Sequence, residues 1–226
     1  MTQKYSFALK NTRSVVLFLL IFMLSFSGKS YNEQVDWRFW KDNGGVRIYY
    51  AELPNSDIKS VKMKTTFDAN LSTIVETLKD VDAYPKWVYK ATYSKTVFEY
   101  NENDVIYYNY IDFPWPLQDR DIVVQSRVSQ DFNTKIVTSV SFAKWDAVPI
   151  KKDVVRIQEF NAQWTFTPLA NGKVDGEYVF RSNPGGAIPG WLVNFGLDEG
   201  PLKTISSLKA MLKEEKYINA KNGIRN

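Results

Sequence analysis

Apolar and polar positions alternate along much of the chain after residue 45, and this period of two predicts β-strands. The predicted strands cover residues 46–53, 58–67, 91–100, 104–113, 121–130, 135–143, 154–167 and 173–182. Turn-rich segments such as "NEND", "PWPLQD", "DFNT" and "LANGK" separate the later strands. Regular short strands with tight links are typical of an antiparallel meander.

Three segments instead carry apolar residues at helical spacing. Residues 33–41 predict a short amphipathic helix that ends at "DNGG". A second helix follows Asp68 or Asn70, either of which can cap it, and Pro85 ends it or begins another turn. The third and longest covers residues 188–216 and should kink at its internal Gly-Pro pair, and residues 219–226 are expected to form a flexible tail.

The first 30 residues have the pattern of an export signal. Three basic residues precede the apolar run 15–24, and the small residues of "SFSGKS" follow it. The run is short for a membrane span, which needs about 20 apolar residues. We expect cleavage between Ser25 and Ser30, with an uncleaved inner-membrane anchor as the main alternative because no Ala-x-Ala site is present. Either reading places the folded part outside the cytoplasm, in the periplasm or secreted.

Composition narrows the chemistry. The chain has no cysteine and no histidine, which removes thiolate nucleophiles, disulfides, the commonest metal ligands and the usual general base near pH 7. We therefore expect neither a metal nor a cofactor, although carboxylate, lysine, tyrosine or serine chemistry stays open. The net charge of +4 is spread among acidic residues, so no basic face predicts nucleic-acid binding.

The segment "DVIYYNYIDF", residues 104–113, bears on whether the core is filled or hollow. Both alternating sets of side chains are bulky, and each also carries hydroxyl or amide groups. A strand with one wet face alternates more cleanly, so both faces should meet something other than bulk water. An internal space for an apolar ligand with a small polar head explains this pattern. A solid core in which tyrosine hydroxyls pair with the backbone explains it as well.

Three segments resemble the START family of StAR-related lipid-transfer domains. They are "LKDVDAYPKW" (78–87), "FPWPLQDRDIVV" (113–124) and "NPGGAIPGWLVNFG" (183–196). They occur in the family's order, and the resemblance covers roughly residues 33–216. It implies an α+β helix-grip fold over residues 31–218, in which a curved antiparallel sheet wraps around a long C-terminal helix and encloses an apolar tunnel.

The resemblance also implies a gate at the tunnel mouth, formed by the loop 113–120 and the helix start 184–196. Candidate ligand-binding residues in the tunnel and at its rim are Tyr108, Tyr110, Trp115, Arg120, Trp191 and Phe195. Trp115 can lie over apolar cargo or on a membrane surface. Arg120 can contact a ligand head group, or it can form a salt bridge with Asp119 or Asp121 that holds the corner.

Three functions remain open at this point. The first is non-enzymatic binding and transfer of one lipid or sterol-like molecule by a monomer that contacts membranes transiently. The second is a cyclase- or hydrolase-like enzyme of the helix-grip superfamily. Its candidate residues would be Tyr108, Tyr110, Asp112, Arg120 and Glu177. The third is an interaction domain with a filled core.

Overall fold

The structure, a computed structural model, describes residues 35–54, 56–186, 188, 193–194, 197–218 and 220–226. Its strands are β1 (Arg38–Asn43), β2 (Val46–Ala51), β3 (Ser60–Phe67), β4 (Ala91–Asn101), β5 (Asp104–Ile111), β6 (Arg120–Gln130), β7 (Val137–Ala143), β8 (Val155–Ile157), β9 (Glu159–Pro168) and β10 (Val174–Asn183). Its α-helices are α1 (Leu71–Lys79), α2 (Tyr84–Trp87), α3 (Glu199–Met211) and α4 (Glu215–Ile218), and a 3-10 turn, Val81–Ala83, links the first two.

All ten strands belong to one curved sheet in the order β1-β2-β3-β10-β9-β7-β6-β5-β4. Its neighbours on this path are antiparallel, and β8 adds a short parallel pairing to the start of β6. The predicted antiparallel α+β architecture is confirmed. The predicted strand over 154–167 is divided, because β8 pairs with β6 whereas β9 pairs with β7 and β10.

Helix α1 begins as the sequence predicts. The Asn70 side chain accepts a hydrogen bond from the Thr73 backbone N–H at 2.8 Å, which satisfies one of the free donors of the first turn. Its apolar stripe, including Leu71, Ile74 and Val75, is fully buried in the core. The helix therefore covers part of the sheet with the face that its periodicity predicts.

Of the helix predicted over 188–216, the structure describes residue 188, the helical residues 193–194, and residues 197–216. Helix α3 starts at Glu199, so Pro201 lies in the first turn, where its missing N–H removes no intrahelical hydrogen bond. Residues 197 and 198 form a turn just before the Gly-Pro pair, and most of the predicted helix before that turn lies outside the described residues, so the expected kink stays a prediction. Ile205, Leu208 and Met211 are buried against the sheet. A turn follows Met211, and the last predicted helical residues belong to the separate helix α4.

The helix predicted over residues 33–41 is also wrong. Residues 38–43 form β1, which pairs with β2 through a two-residue turn at Gly44 and Gly45, both with positive φ. Cross-strand aromatic contacts, such as Phe39 with Tyr49 at a centroid distance of 5.6 Å, stabilise this hairpin. A Gly-Gly pair between two aromatic runs is a hairpin signal, and it outweighs the helical spacing of a few apolar residues.

Residues 220–226, for which a flexible tail is expected, make hydrogen bonds with the folded part of the chain. The Asn226 side chain accepts from the Ser72 backbone N–H at 2.9 Å. The Asn222 amide donates to the Ser72 carbonyl, also at 2.9 Å. The Arg225 N–H donates to the Gln130 side chain at 2.9 Å. The chain end thus lies against α1 and the end of β6.

Candidate functional site

A cavity of about 440 Å³ lies between the concave face of the sheet and the helices. Its volume is within the range of about 300–1,000 Å³ found for pockets that enclose small ligands. The strands contribute alternate residues to its wall, and α2, α3 and the ends of the neighbouring turns complete it. Wall residues from the sheet include Val105, Tyr107, Asn109, Ile111, Ile122, Val124, Ser126, Val128, Ser139, Ser141, Phe160, Ala162, Trp164, Tyr178, Phe180 and Ser182.

One side of the wall is a row of nearly parallel aromatic rings. Trp164 stacks on Tyr178 with centroids 4.4 Å apart, and Phe166 and Phe180 extend the row with spacings of 5.1 and 5.2 Å. The register explains the row, because Trp164 and Tyr178 lie directly opposite each other on β9 and β10. Three of these rings, those of Trp164, Tyr178 and Phe180, line the cavity.

A second aromatic group, formed by two residues of α2 and one of β5, lines the cavity. Tyr84 packs edge-on against both Trp87 and Tyr107, with centroid distances of 5.1 Å in each case. The Tyr84 hydroxyl donates to the Leu78 carbonyl at 2.7 Å. Burial raises the pKa of Tyr84 and of Tyr107, so both phenols are neutral at physiological pH. The buried Trp87 Nε1–H has no acceptor among the described residues.

Small polar groups interrupt the apolar wall. Ser126 and Ser141 share a hydrogen bond of 3.1 Å across β6 and β7. Asn109 accepts a hydrogen bond from Ser94 on the neighbouring strand β4. Ser139 also lines the cavity and is 6% exposed. The wall therefore combines apolar surface with neutral hydroxyl, amide and indole groups.

Tyr108 and Tyr110, two of the predicted site residues, lie on the opposite face of β5. Successive residues of a strand project to opposite faces, and Tyr107 takes the cavity side. Tyr108 packs with Ile106 and Val123 in a separate small core. The Tyr110 hydroxyl donates to the Asp119 carboxylate at 2.7 Å. Neither side chain lines the cavity, so their assignment to the tunnel is corrected to the neighbouring Tyr107.

A buried ion pair occupies the same outer face. The Arg156 guanidinium donates to both carboxylate oxygens of Asp121, at 2.6 and 2.9 Å, and both side chains are at most 1% exposed. Arg156 also donates to the carbonyls of Trp145, Val148 and Pro149 in the loop that follows β7. This pair holds that loop against the sheet, and it engages Asp121 away from Arg120.

Arg120 is 2% exposed and forms no ion pair with the described residues. Its guanidinium lies over the Phe113 ring, 4.3 Å from the centroid, and donates to the carbonyls of Gln118, Pro184 and Gly185. The predicted salt bridge with Asp119 or Asp121 is therefore absent from this part of the chain. Arg120 instead connects the loop before β6 with the segment that follows β10, and it does not belong to the cavity wall.

The other predicted residues divide into three groups. Trp115 is 92% exposed on the loop before β6. Trp191 and Phe195 lie outside the described residues. Asp112 and Glu177, candidates for acid–base chemistry, pair with Lys90 and Lys64 and lie outside the cavity wall.

The functional residues that sequence reasoning missed are those of the wall itself, above all Tyr107, Trp164 and Tyr178. The alternation of residues along β5 distinguishes its two faces, but it does not show which face lies on the concave side of the sheet. Across the described ranges there is no cluster of three carboxylates that could hold a metal ion. No helix in those ranges is long and apolar enough to cross a membrane.

Two solved structures have a fold similar to that of this chain. A StAR-related lipid transfer protein from Xanthomonas axonopodis superimposes with a TM-score of 0.73 at 28% identity, over 79% of this chain and 99% of that one. Human STARD10 superimposes with a TM-score of 0.72 at 16% identity, over 95% of this chain and 84% of that one, and supports the fold alone.

Comparison of sequences gives the same family. An uncharacterized protein from Pseudomonas aeruginosa is 27% identical over 77% of this chain and 86% of its own length. The phosphatidylcholine transfer protein of Rattus norvegicus is 25% identical over 79% of this chain and 83% of its own length. The START domain family model matches residues 23–217. With the helix-grip sheet and its enclosed cavity, this match shows that the chain belongs to the START domain family.

Proposed function

We propose that the protein binds one lipid molecule in the cavity and transfers it between membranes without chemical change. The observation that carries this proposal is a largely apolar cavity of about 440 Å³ between the concave face of the sheet and the helices. The phosphatidylcholine transfer protein of Rattus norvegicus and the StAR-related lipid transfer protein of Xanthomonas axonopodis, both similar to this chain, are named as lipid-transfer proteins, which supports the same function.

The cavity chemistry favours carriage over catalysis. Histidine and cysteine are absent from the sequence, and the carboxylates of Asp112 and Glu177 are engaged in ion pairs outside the wall. Shielding about 300 Å² of apolar cargo surface contributes roughly 7 kcal/mol before the costs of binding are subtracted. Burial of cargo alone therefore supplies the driving force, and no reacting residue is needed.

The proposal includes a gate between the loop 113–120 and the helix start 184–196. Arg120 supports it, because its hydrogen bonds to Gln118, Pro184 and Gly185 connect these two segments. Opening would exchange carbonyl acceptors for water, at a modest free-energy cost. The exposed ring of Trp115 on the same loop suits transient contact with a membrane surface.

The proposed setting is outside the cytoplasm. A basic start, an apolar run over residues 15–24 and a small-residue exit are the features that support export. In the periplasm, or anchored to the inner membrane, the protein would have membranes nearby as source and destination of its cargo. A monomer suffices, because one cavity encloses one molecule.

A transfer assay tests the function without assuming the cargo. Donor vesicles made from a ¹³C-labelled bacterial total lipid extract are incubated with unlabelled acceptor vesicles, with and without the protein. Mass spectrometry of the separated acceptor vesicles should show faster arrival of one lipid class when the protein is present. The matched control is Ala162→Phe, which places a large ring in the cavity and obstructs it. Transfer by this variant at the wild-type rate would contradict the proposal.

A further inference from the structure

The cavity wall offers almost no charge to a bound molecule. Its charged residues are Lys79, Glu99 and Glu102, and the remaining described wall residues are apolar, aromatic, amide or hydroxyl side chains. The undescribed positions 187, 189–192, 195 and 196 are Ala, Pro, Gly, Trp, Leu, Phe and Gly. None of them can ionise, so they add no counter-ion to the segment that precedes α3.

The three charged wall residues gather at one end of the cavity. Lys79 is the last residue of α1. Glu99 lies near the end of β4, and Glu102 lies in the turn between β4 and β5. Both glutamates are exposed to solvent. Lys79 Nζ donates to Asn103 at 3.3 Å, and Asn103 donates to Glu102 at 3.4 Å. Charge at this end is therefore solvated and partly paired, and the rest of the wall is uncharged.

The buried phenols of the wall are neutral as well. Burial raises the pKa of Tyr84, Tyr107 and Tyr178, which keeps all three protonated at physiological pH. They can exchange hydrogen bonds with a hydroxyl or carbonyl oxygen, but they carry no positive charge that could pair with a phosphate or a carboxylate. An isolated charge in such surroundings is far more costly than a neutral polar group that finds a hydrogen-bond partner.

The wall does provide hydrogen-bonding groups for a neutral oxygen. Ser139 lines the cavity and is buried, so its hydroxyl is one such group. The Trp87 Nε1–H is buried at the wall without an acceptor in that part of the chain. A cargo oxygen can accept from the indole, whereas a quaternary ammonium group cannot.

From this wall we propose that the cargo is an uncharged lipid bearing a hydroxyl or carbonyl oxygen, and not a phospholipid with a charged head group. The inference rests on the proposed lipid binding and names its ligand class. It separates this chain from the relatives that are named phosphatidylcholine transfer proteins, because the phosphocholine head carries two charges that the interior of this cavity would leave unpaired.

Three ligands with the same C18 chain isolate the effect of charge. Delipidated full chain is titrated at pH 7 with oleyl alcohol, oleate and oleylamine below their micelle concentrations, and the dissociation constants are compared. We expect oleyl alcohol to bind at least about 30-fold more tightly than either charged ligand, because the described wall carries charge only at its solvated end, beside Lys79, Glu99 and Glu102. The second comparison uses vesicles of dioleoylphosphatidylcholine that contain about 5 mol% oleyl alcohol. The protein should extract the alcohol in preference to the phospholipid.

The possible results are distinct. Preference for the alcohol in both comparisons supports the inference. Equal or tighter binding of oleate, oleylamine or the phospholipid overturns the inference while leaving lipid carriage intact. Failure to bind or extract any of the four contradicts the proposed function itself, and the inference with it.

A charge placed in the wall supplies the reverse test. Ser141→Asp puts a carboxylate in the middle of β7 on the cavity side, and Ser141→Asn is its uncharged control of nearly the same size. Relative to the control, the aspartate variant should lose at least about 10-fold in affinity for oleyl alcohol and gain in affinity for oleylamine. Identical ligand preferences in two folded variants would overturn the inference. The wild-type series decides the question if either variant fails to fold.

Discussion

Placing a large ring in the middle of the cavity should stabilise the ligand-free chain and block binding. Ala162 lies in the middle of β9 on the cavity wall, between Ser141 on β7 and Phe180 on β10. In Ala162→Phe, the new ring projects into the open space. Such a substitution distinguishes a hollow core from a solid one, because it should raise the free energy of unfolding in the first case and lower it in the second.

The magnitude follows from the burial of the new ring. Full burial of a phenylalanine side chain contributes about 1.5–3 kcal/mol. Ordering it costs about 0.5–1 kcal/mol of side-chain entropy, the scale of a large apolar residue. The free energy of unfolding should therefore rise by about 1–2 kcal/mol, which corresponds to an increase in Tm of about 2–8 °C for a chain of this size. In a solid core the same change would cost about 1–3 kcal/mol.

Urea denaturation of delipidated protein measures this difference, and a lipid-binding titration accompanies it. The matched control is Gln163→Phe, on the outward side of the same strand, which should change stability by less than about 0.5 kcal/mol and leave binding intact. If Ala162→Phe destabilises the chain by 1 kcal/mol or more while the control does not, the reasoning is refuted, because the core would then be packed.

Three further predictions concern single side chains. Asp121→Asn should lower the free energy of unfolding by about 3–5 kcal/mol in urea titrations, because it leaves the Arg156 cation buried without its carboxylate. Burial acts to raise the pKa of Asp80, but hydrogen bonds from Lys216 and Tyr217 hold that pKa below its ordinary value. Stability from this group is thus present above the unfolded-state pKa and is lost as pH falls below about 4, and Asp80→Asn should remove this part of the acid sensitivity in Tm measurements. Trp87→Phe should weaken binding of oleyl alcohol about 3- to 10-fold in titrations, because the indole N–H has no acceptor in the described ranges and is available to a cargo oxygen.

Each of these predictions has a control or a contrary result. Glu199→Gln removes an exposed ion pair with Lys203 and should cost less than about 0.5 kcal/mol, and a loss as small for Asp121→Asn would contradict the account of the buried pair. An unchanged acid transition in Asp80→Asn would show that other carboxylates control it. For Trp87→Phe, a fall in stability equal to the fall in affinity would indicate a packing role only.

Much of the fold could be predicted from periodicity because burial on one face repeats every two residues in strands. The Asn70 cap and the buried stripe of α1 could also be predicted, because capping and amphipathic spacing depend only on residues that are close in sequence. The hairpin at Gly44–Gly45 was also readable in principle, but the aromatic residues before it fit a helical spacing over one short segment. Propensity over so few residues gave way to strand pairing.

The site was harder to predict because its geometry is not local. Alternation distinguishes Tyr107 from Tyr108, but only the packing of α2 and α3 on the sheet decides which of them faces the cavity. Arg120 shows the same limit. Its sequence neighbours Asp119 and Asp121 suggest an ion pair, yet Asp121 projects to the other face and meets Arg156, which is 35 residues away in sequence.

The central claim is that the space between the curved sheet and the C-terminal helix encloses a single lipid. Native mass spectrometry of the full chain, incubated with bacterial-lipid vesicles and then separated from them, tests this claim most directly. The account predicts one added mass per chain, equal to one uncharged lipid and absent from Ala162→Phe. A spectrum that contains only the lipid-free mass, under conditions in which the protein is folded, would contradict it.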